Sequence, residues 1–94
     1  MRQKLSDTDI QSRLTSVPGW TLINGEIART IKLETFPDAL LLVCAVGQLA
    51  QTADHHPDIV IKYVNVTFSL TTHDAGGITD NDFSLAQKIN ALLK

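Results

Sequence analysis

Apolar and polar positions recur along this 94-residue chain with two periods, one helical and one alternating, and the switches between them mark out seven elements. Ser6 followed by Asp9 reads as a capping box, and Leu5 before the cap with Ile10 after it has hydrophobic-staple spacing. A short helix is predicted from Asp7 to Leu14, stopped by Pro18-Gly19. Trp20-Thr21-Leu22-Ile23 then meets Glu26 to Leu33 across Asn24-Gly25, a pair that reaches positive φ easily and marks a two-residue hairpin. Ile27, Arg29, Ile31 and Leu33 share one parity, with Ala28, Thr30 and Lys32 on the other, so one face of this ribbon is predicted to be buried.

Thr35 caps a second helix, with Pro37 in its first turn and Asp38 three residues after the cap. Leu40, Val43, Val46, Gly47 and Ala50 recur at helical spacing, and Phe36, Leu41, Leu42, Cys44 and Leu49 widen the stripe, so this helix is expected to be deeply packed. It should end near Ala53, because Pro57 disfavours helical geometry just before it. Ile59-Val60-Ile61 forms a short apolar run, and from Val64 the alternation is clean: Val64, Val66, Phe68 and Leu70 against Asn65, Thr67, Ser69 and Thr71. As one straight strand this stretch would hold His55 and His73 about 60 Å apart. A bend near Lys62-Tyr63-Val64 brings both to the same end of a hairpin, although no Gly or Pro marks the turn. After Ala75-Gly76-Gly77, Thr79 caps a last helix carrying Phe83, Leu85, Ala86, Ile89, Leu92 and Leu93, with Lys88 and Lys94 late in it. The fold class expected is α+β, in the order α-β-β-α-β-β-α: a four-stranded antiparallel sheet with three helices on one face, as a single domain over residues 1–94.

Charge and cysteine content narrow the function classes. The net charge of -2 comes without a basic run, so direct nucleic-acid binding is disfavoured. The one cysteine, Cys44, permits no disulfide within the chain and is expected to be a buried thiol in a reducing compartment. No stretch is expected to approach a membrane span, and the polar N-terminus lacks an apolar leader, which points to a cytoplasmic protein.

The chemistry gathers at Asp54-His55-His56-Pro57 and Thr71-Thr72-His73-Asp74, which hold all three histidines. Zinc is disfavoured: adjacent histidines point apart in extended chain, and neither a cysteine nor an HxxxH pair supports them. Blander roles exist for each residue. His56 can cap the preceding helix, His73 can be a strand-end residue, and Asp82 sits where a capping-box acid belongs. Trp20 and Phe68 are expected in the core, and Asp58 and Asp74 in solvent. The functional alternative is a reaction that neutral imidazoles perform without metal or nucleophile. Elimination of water fits, with one group protonating a leaving hydroxyl while another takes a proton from the adjacent atom.

Asp54-His55-His56-Pro57, Tyr63 six residues after the proline, Thr72-His73, Gly76-Gly77-Ile78-Thr79 and Asp82 nine residues after His73 together resemble the pterin-4a-carbinolamine dehydratases. The similarity runs over nearly the whole chain. It implies an enzyme, needing no cofactor, that converts 4a-hydroxytetrahydropterin to quinonoid dihydropterin and water, recycling the cofactor of aromatic amino acid hydroxylases. By position it implies His55 and His73 as the acid/base pair, and His56, Pro57, Thr72 and Asp82 as substrate-binding or site-orienting residues. It also implies a homodimer or homotetramer, a pterin as small-molecule partner and a hydroxylase as protein partner; animal members double as dimerisation cofactors of a homeodomain transcription factor. Gln51 stands where the family usually has an ionisable residue, and Ile59 where it often has an aromatic one. These two departures favour the alternative function, a non-catalytic binding or assembly factor on the same fold.

Overall fold

A computed structural model describes residues 3–93. Helix α1 spans Asp7–Leu14, and the Ser6 side chain accepts the Asp9 N–H, as the cap predicts. Strands β1 (Thr21–Ile23) and β2 (Glu26–Lys32) form a hairpin in which Ile23 faces Glu26 across Asn24-Gly25, both at positive φ. Helix α2 runs Phe36–Ala53, β3 Asp58–Lys62, β4 Asn65–Leu70, a short 3₁₀ turn His73–Ala75, and α3 Asp80–Leu92. Lys94, expected late in the last helix, lies outside the described residues.

All strand pairs are antiparallel, in spatial order β1-β2-β4-β3. The expected bend is a two-residue turn, with Lys62 opposite Asn65 and Tyr63 at φ 54°. A tyrosine accepts this uncommon conformation because register on both sides is fixed: Val66, Phe68 and Leu70 are fully buried, and a slip by one residue would turn them to solvent. Their core partners include Ile27, Val46, Phe83, Leu85 and Ile89, so the helices cover one face of the sheet. On the uncovered face Thr30 and Thr67 meet at 2.7 Å through their hydroxyls.

Helix α2 departs from expectation. Its buried stripe is Ala39, Leu42, Val46 and Ala50, while Leu41 is 68% exposed and Phe36, Leu40 and Cys44 are also exposed. The helix is therefore only partly packed, and Cys44 is a surface thiol. Apolarity all round a helix shows that burial is possible, not which stripe gets it; β4 and α3 cover one stripe only. By length and mean hydropathy, 1.3 over 18 residues, α2 could also cross a membrane, which corrects the expectation that no stretch approaches a span. Its place in the folded domain follows from that core stripe.

At the opposite end of the helix layer, Asn90 ties three elements together. Its Oδ1 accepts Trp20 Nε1–H at 2.8 Å and an Arg29 Nη1–H at 2.6 Å, and its Nδ2 donates to the Pro18 carbonyl at 3.1 Å. Trp20 is buried, so Asn90→Ala strands an indole donor away from water. The expected cost is about 2 kcal/mol, seen as a drop of about 8–16 °C in Tm with a change in Trp20 fluorescence. An unchanged Tm would show that the indole finds water instead.

Candidate active site

Local chain chemistry brings the histidine segments to one end of the β3–β4 hairpin. Helix α2 ends with Asp54 in the left-handed region, φ 51°, where its N–H bonds the Ala50 and Gln51 carbonyls. That reversal turns the chain back, and the His55 N–H also reaches the Ala50 carbonyl, at 3.1 Å. Beyond β4 a closed loop forms: Thr72 and Gly77 exchange backbone bonds of 3.0 and 3.2 Å, and Gly76 takes φ 76°. His73 opens the 3₁₀ turn inside this loop and stands exposed.

The two segments share a cavity of about 240 Å³ lined by Asp54, His55, His56, Thr71, Thr72, His73 and Asp74. Asp82 lies beneath it, fully buried. Its Oδ2 accepts the Thr79 N–H at 2.9 Å, completing a capping box on α3, and also the Thr72 hydroxyl at 2.9 Å. Its Oδ1 accepts His55 Nε2–H at 2.5 Å. Because Thr72 gives its one hydroxyl hydrogen to Asp82, the 2.8 Å contact between Thr72 and Thr79 has Thr79 donating, and Thr79 Oγ1 accepts the Asn81 N–H at 3.3 Å. Every donor in this chain points toward the carboxylate.

His55 is thus buried with one ring nitrogen committed to Asp82, which leaves Nδ1 as the nitrogen able to meet a substrate. His56 is exposed and its Nε2–H donates to Gln51 Oε1 at 3.1 Å. Gln51 therefore steadies the second histidine, not the first. Among the described residues no protein group bonds the His73 ring, and no cluster of three or more His, Cys, Asp or Glu converges closely enough to hold a metal.

Of the residues singled out in the sequence, His55, His56, Thr72 and His73 line the cavity. Pro57 is half-buried beside it without lining it. Being fully buried, Asp82 reaches a bound molecule only through His55 and Thr72, not by contact. Asp54, Thr71 and Asp74, which belong to the two histidine stretches of the sequence but carry no site role in that reading, line the cavity too. Asp74 is exposed, as expected, yet it stands at the cavity wall.

A small α+β domain with a histidine-walled cavity set on a buried carboxylate is the class of protein that this fold and site define. A family model described as Pterin 4 alpha carbinolamine dehydratase matches residues 3–92. A Roseiflexus sp. protein provisionally named a pterin-4-alpha-carbinolamine dehydratase is 48% identical over 93 residues, covering 99% of this chain and 100% of its own. A Chloroflexus aurantiacus protein with the same provisional name is 48% identical over 90 residues, 96% of this chain and 97% of its own. The fold is also similar to the crystal structure of a transcriptional coactivator/pterin dehydratase from Brucella melitensis, with a TM-score of 0.93, 28% identity and coverage of 98% and 100%. The chain belongs to the pterin-4a-carbinolamine dehydratase family.

Proposed function

We propose that this protein dehydrates a 4a-hydroxytetrahydropterin to the quinonoid dihydropterin, with His55 as base and His73 as acid. The observation that carries this reading is the convergence of both histidines on one cavity, with only His55 anchored to a buried carboxylate. His55 Nδ1 takes the proton from N5 of the pterin; the N5 electrons form the C4a=N5 bond as the C4a–O bond breaks. His73 protonates the departing hydroxyl, which leaves as water. One proton has moved from nitrogen to oxygen by way of the two imidazoles; exposed His73 is recharged from solvent, and His55 returns the proton on Nδ1 to water in the emptied cavity. Asp82 holds the His55 ring in the required tautomer and offsets the charge it gains, a role distinct from titrating itself. His56, steadied by Gln51, offers its Nδ1 to the pterin ring. At about 240 Å³ the cavity is below the range of about 300–1,000 Å³ usual for drug-sized ligands, so it suits a compact bicyclic ring.

In this reading the protein recycles the tetrahydropterin of an aromatic amino acid hydroxylase in the cytoplasm, where an exposed thiol such as Cys44 stays reduced. The test is 4a-carbinolamine dehydration, with the substrate generated in situ by a phenylalanine hydroxylase. Wild-type protein is expected to accelerate it. A folded protein with no effect on the rate would overturn the assignment.

The apolar surface of α2 supports a second role, assembly. Phe36, Leu40 and Leu41 are exposed on it, and the Phe36 ring stacks on exposed Tyr63 with centroids 6.5 Å apart. A band of this kind on a small domain serves association, here of like chains into a dimer or tetramer. Leu41→Asp is expected to shift the mass measured by light scattering to that of a 10.3 kDa monomer with little change in Tm, because Leu41 packs on nothing in its own chain's core. An assembly of unaltered mass would rule this surface out as the interface.

A further inference from the structure

Alternation along β2 turns Ile27, Arg29 and Ile31 to the helix-covered face of the sheet. Ile27 is fully buried and Ile31 half-buried, so Arg29 carries a permanent charge into an otherwise apolar row. A guanidinium drawn out of water needs partners for its donors. Its Nη1 has them, in Asn90 Oδ1 at 2.6 Å and the Pro18 carbonyl at 3.4 Å. The other edge, Nε–H and Nη2–H₂, has no acceptor among the described residues, and no carboxylate there pairs with Arg29. That edge is the one whose two parallel N–H bonds match an oxyanion.

Arg29 borders a cavity of about 580 Å³, more than twice the histidine cavity and sharing no residue with it. Ser16, Gly19, Gln87, Asn90 and Ala91 stand around it, and among the described residues no Asp or Glu lines it. The local charge is therefore positive on a chain whose net charge is -2. Gly19 shapes the space beside the guanidinium. It has φ +90°, and a Cβ on it would stand 2.7 Å from Arg29 Nε. A side chain there would press on Nε, Cζ and Cδ together, so glycine at 19 is what lets the guanidinium keep its place beside the cavity.

We propose that this cavity is a second binding site, for a small oxyanion, a carboxylate or a phosphate, held through two bonds from Nε and Nη2 of Arg29. Gln87 also lines the cavity; its amide gives one N–H to Ser16 Oγ at 3.5 Å and keeps a second for a bound anion. The site is separate from the histidine cavity, and its existence does not depend on the reaction assigned there.

The test is an NMR titration of the full chain with sodium acetate and, separately, with inorganic phosphate, at ionic strength held constant with chloride. The Arg29 Nε–H resonance is expected to shift and saturate with a dissociation constant on the order of 1 mM, and Trp20 Nε1–H to follow it through the shared Asn90 acceptor. Saturation by either anion supports the site, and the tighter of the two names the ligand class. Small linear drifts equal to those in chloride alone would overturn it. Arg29→Gln is expected to abolish saturation. Because that change also removes a bond to Asn90, Ala91→Glu is the cleaner variant: Ala91 is exposed, and a glutamate there supplies a tethered carboxylate. It should weaken acetate binding at least tenfold with no loss in Tm. Unaltered acetate affinity in folded Ala91→Glu would reject the proposed site.

Discussion

Asp82→Asn is expected to lower the dehydration rate by about 10²- to 10³-fold, the scale of a disabled acid/base group, with a much smaller effect on KM. The carboxylate accepts three hydrogen bonds, from Thr79 N–H, the Thr72 hydroxyl and His55 Nε2–H, and is also the counter-charge to any imidazolium formed there. An asparagine oxygen keeps the first two, since the helix cap and Thr72 both need an acceptor. The amide then turns its NH₂ toward His55. Nε2 must become the acceptor, the ring proton moves to Nδ1, and the nitrogen facing the substrate can no longer take a proton. The tautomer change is visible in the ring nitrogen shifts of His55, a readout that a purely structural role for Asp82 would leave alone. Asp82→Ala goes further. It strands three buried donors, so a stability loss of about 3–5 kcal/mol is expected. If Asp82→Asn keeps more than a third of wild-type kcat, Asp82 is only a helix cap.

His73→Ala is expected to lower the rate by about 10²- to 10⁴-fold while leaving the fold intact. The loop that presents His73 is held without its imidazole: Ala75 N–H bonds the Thr72 carbonyl at 3.1 Å, Gly76 N–H the His73 carbonyl at 3.0 Å, Thr72 and Gly77 pair through their backbones, and the Thr72 hydroxyl bonds Asp82. The imidazole is exposed and contributes nothing to the core, so stability should change by less than about 0.5 kcal/mol. This separation of activity from stability sets it apart from Asp82. A rate within threefold of wild type would remove His73 from the acid role and leave solvent to protonate the leaving hydroxyl.

The elements were largely legible because each carries local chemistry. Ser6, Thr35 and Thr79 cap the three helices, and in each the side chain accepts a backbone N–H of the first turn. Asn24-Gly25 makes the predicted hairpin. The turn at Tyr63-Val64 was legible only by counting residues, since its own side chains give no turn signal. Packing of α2 was misread, and Cys44 with it, because an almost uniformly apolar helix does not say which stripe the sheet and α3 will cover. Asp82 was the instructive ambiguity. Its spacing from Thr79 marked a cap, its spacing from His73 marked a site, and one carboxylate with two oxygens serves both.

By itself the sequence determined the order of elements, the strand parity and the family, all of which rest on interactions between near neighbours in the chain or on spaced motifs. It also brought forward the histidines as the place for chemistry. Only the tertiary structure decided that His55 and not His56 joins the buried carboxylate, that Gln51 serves His56, and that Arg29, bonded through Nη1 alone among the described residues, lines a cavity. Those outcomes depend on which of several equally reachable groups lie within about 3 Å once residues distant in sequence are packed, a distance at which hydrogen bonds form or fail. No periodicity in a single chain records it.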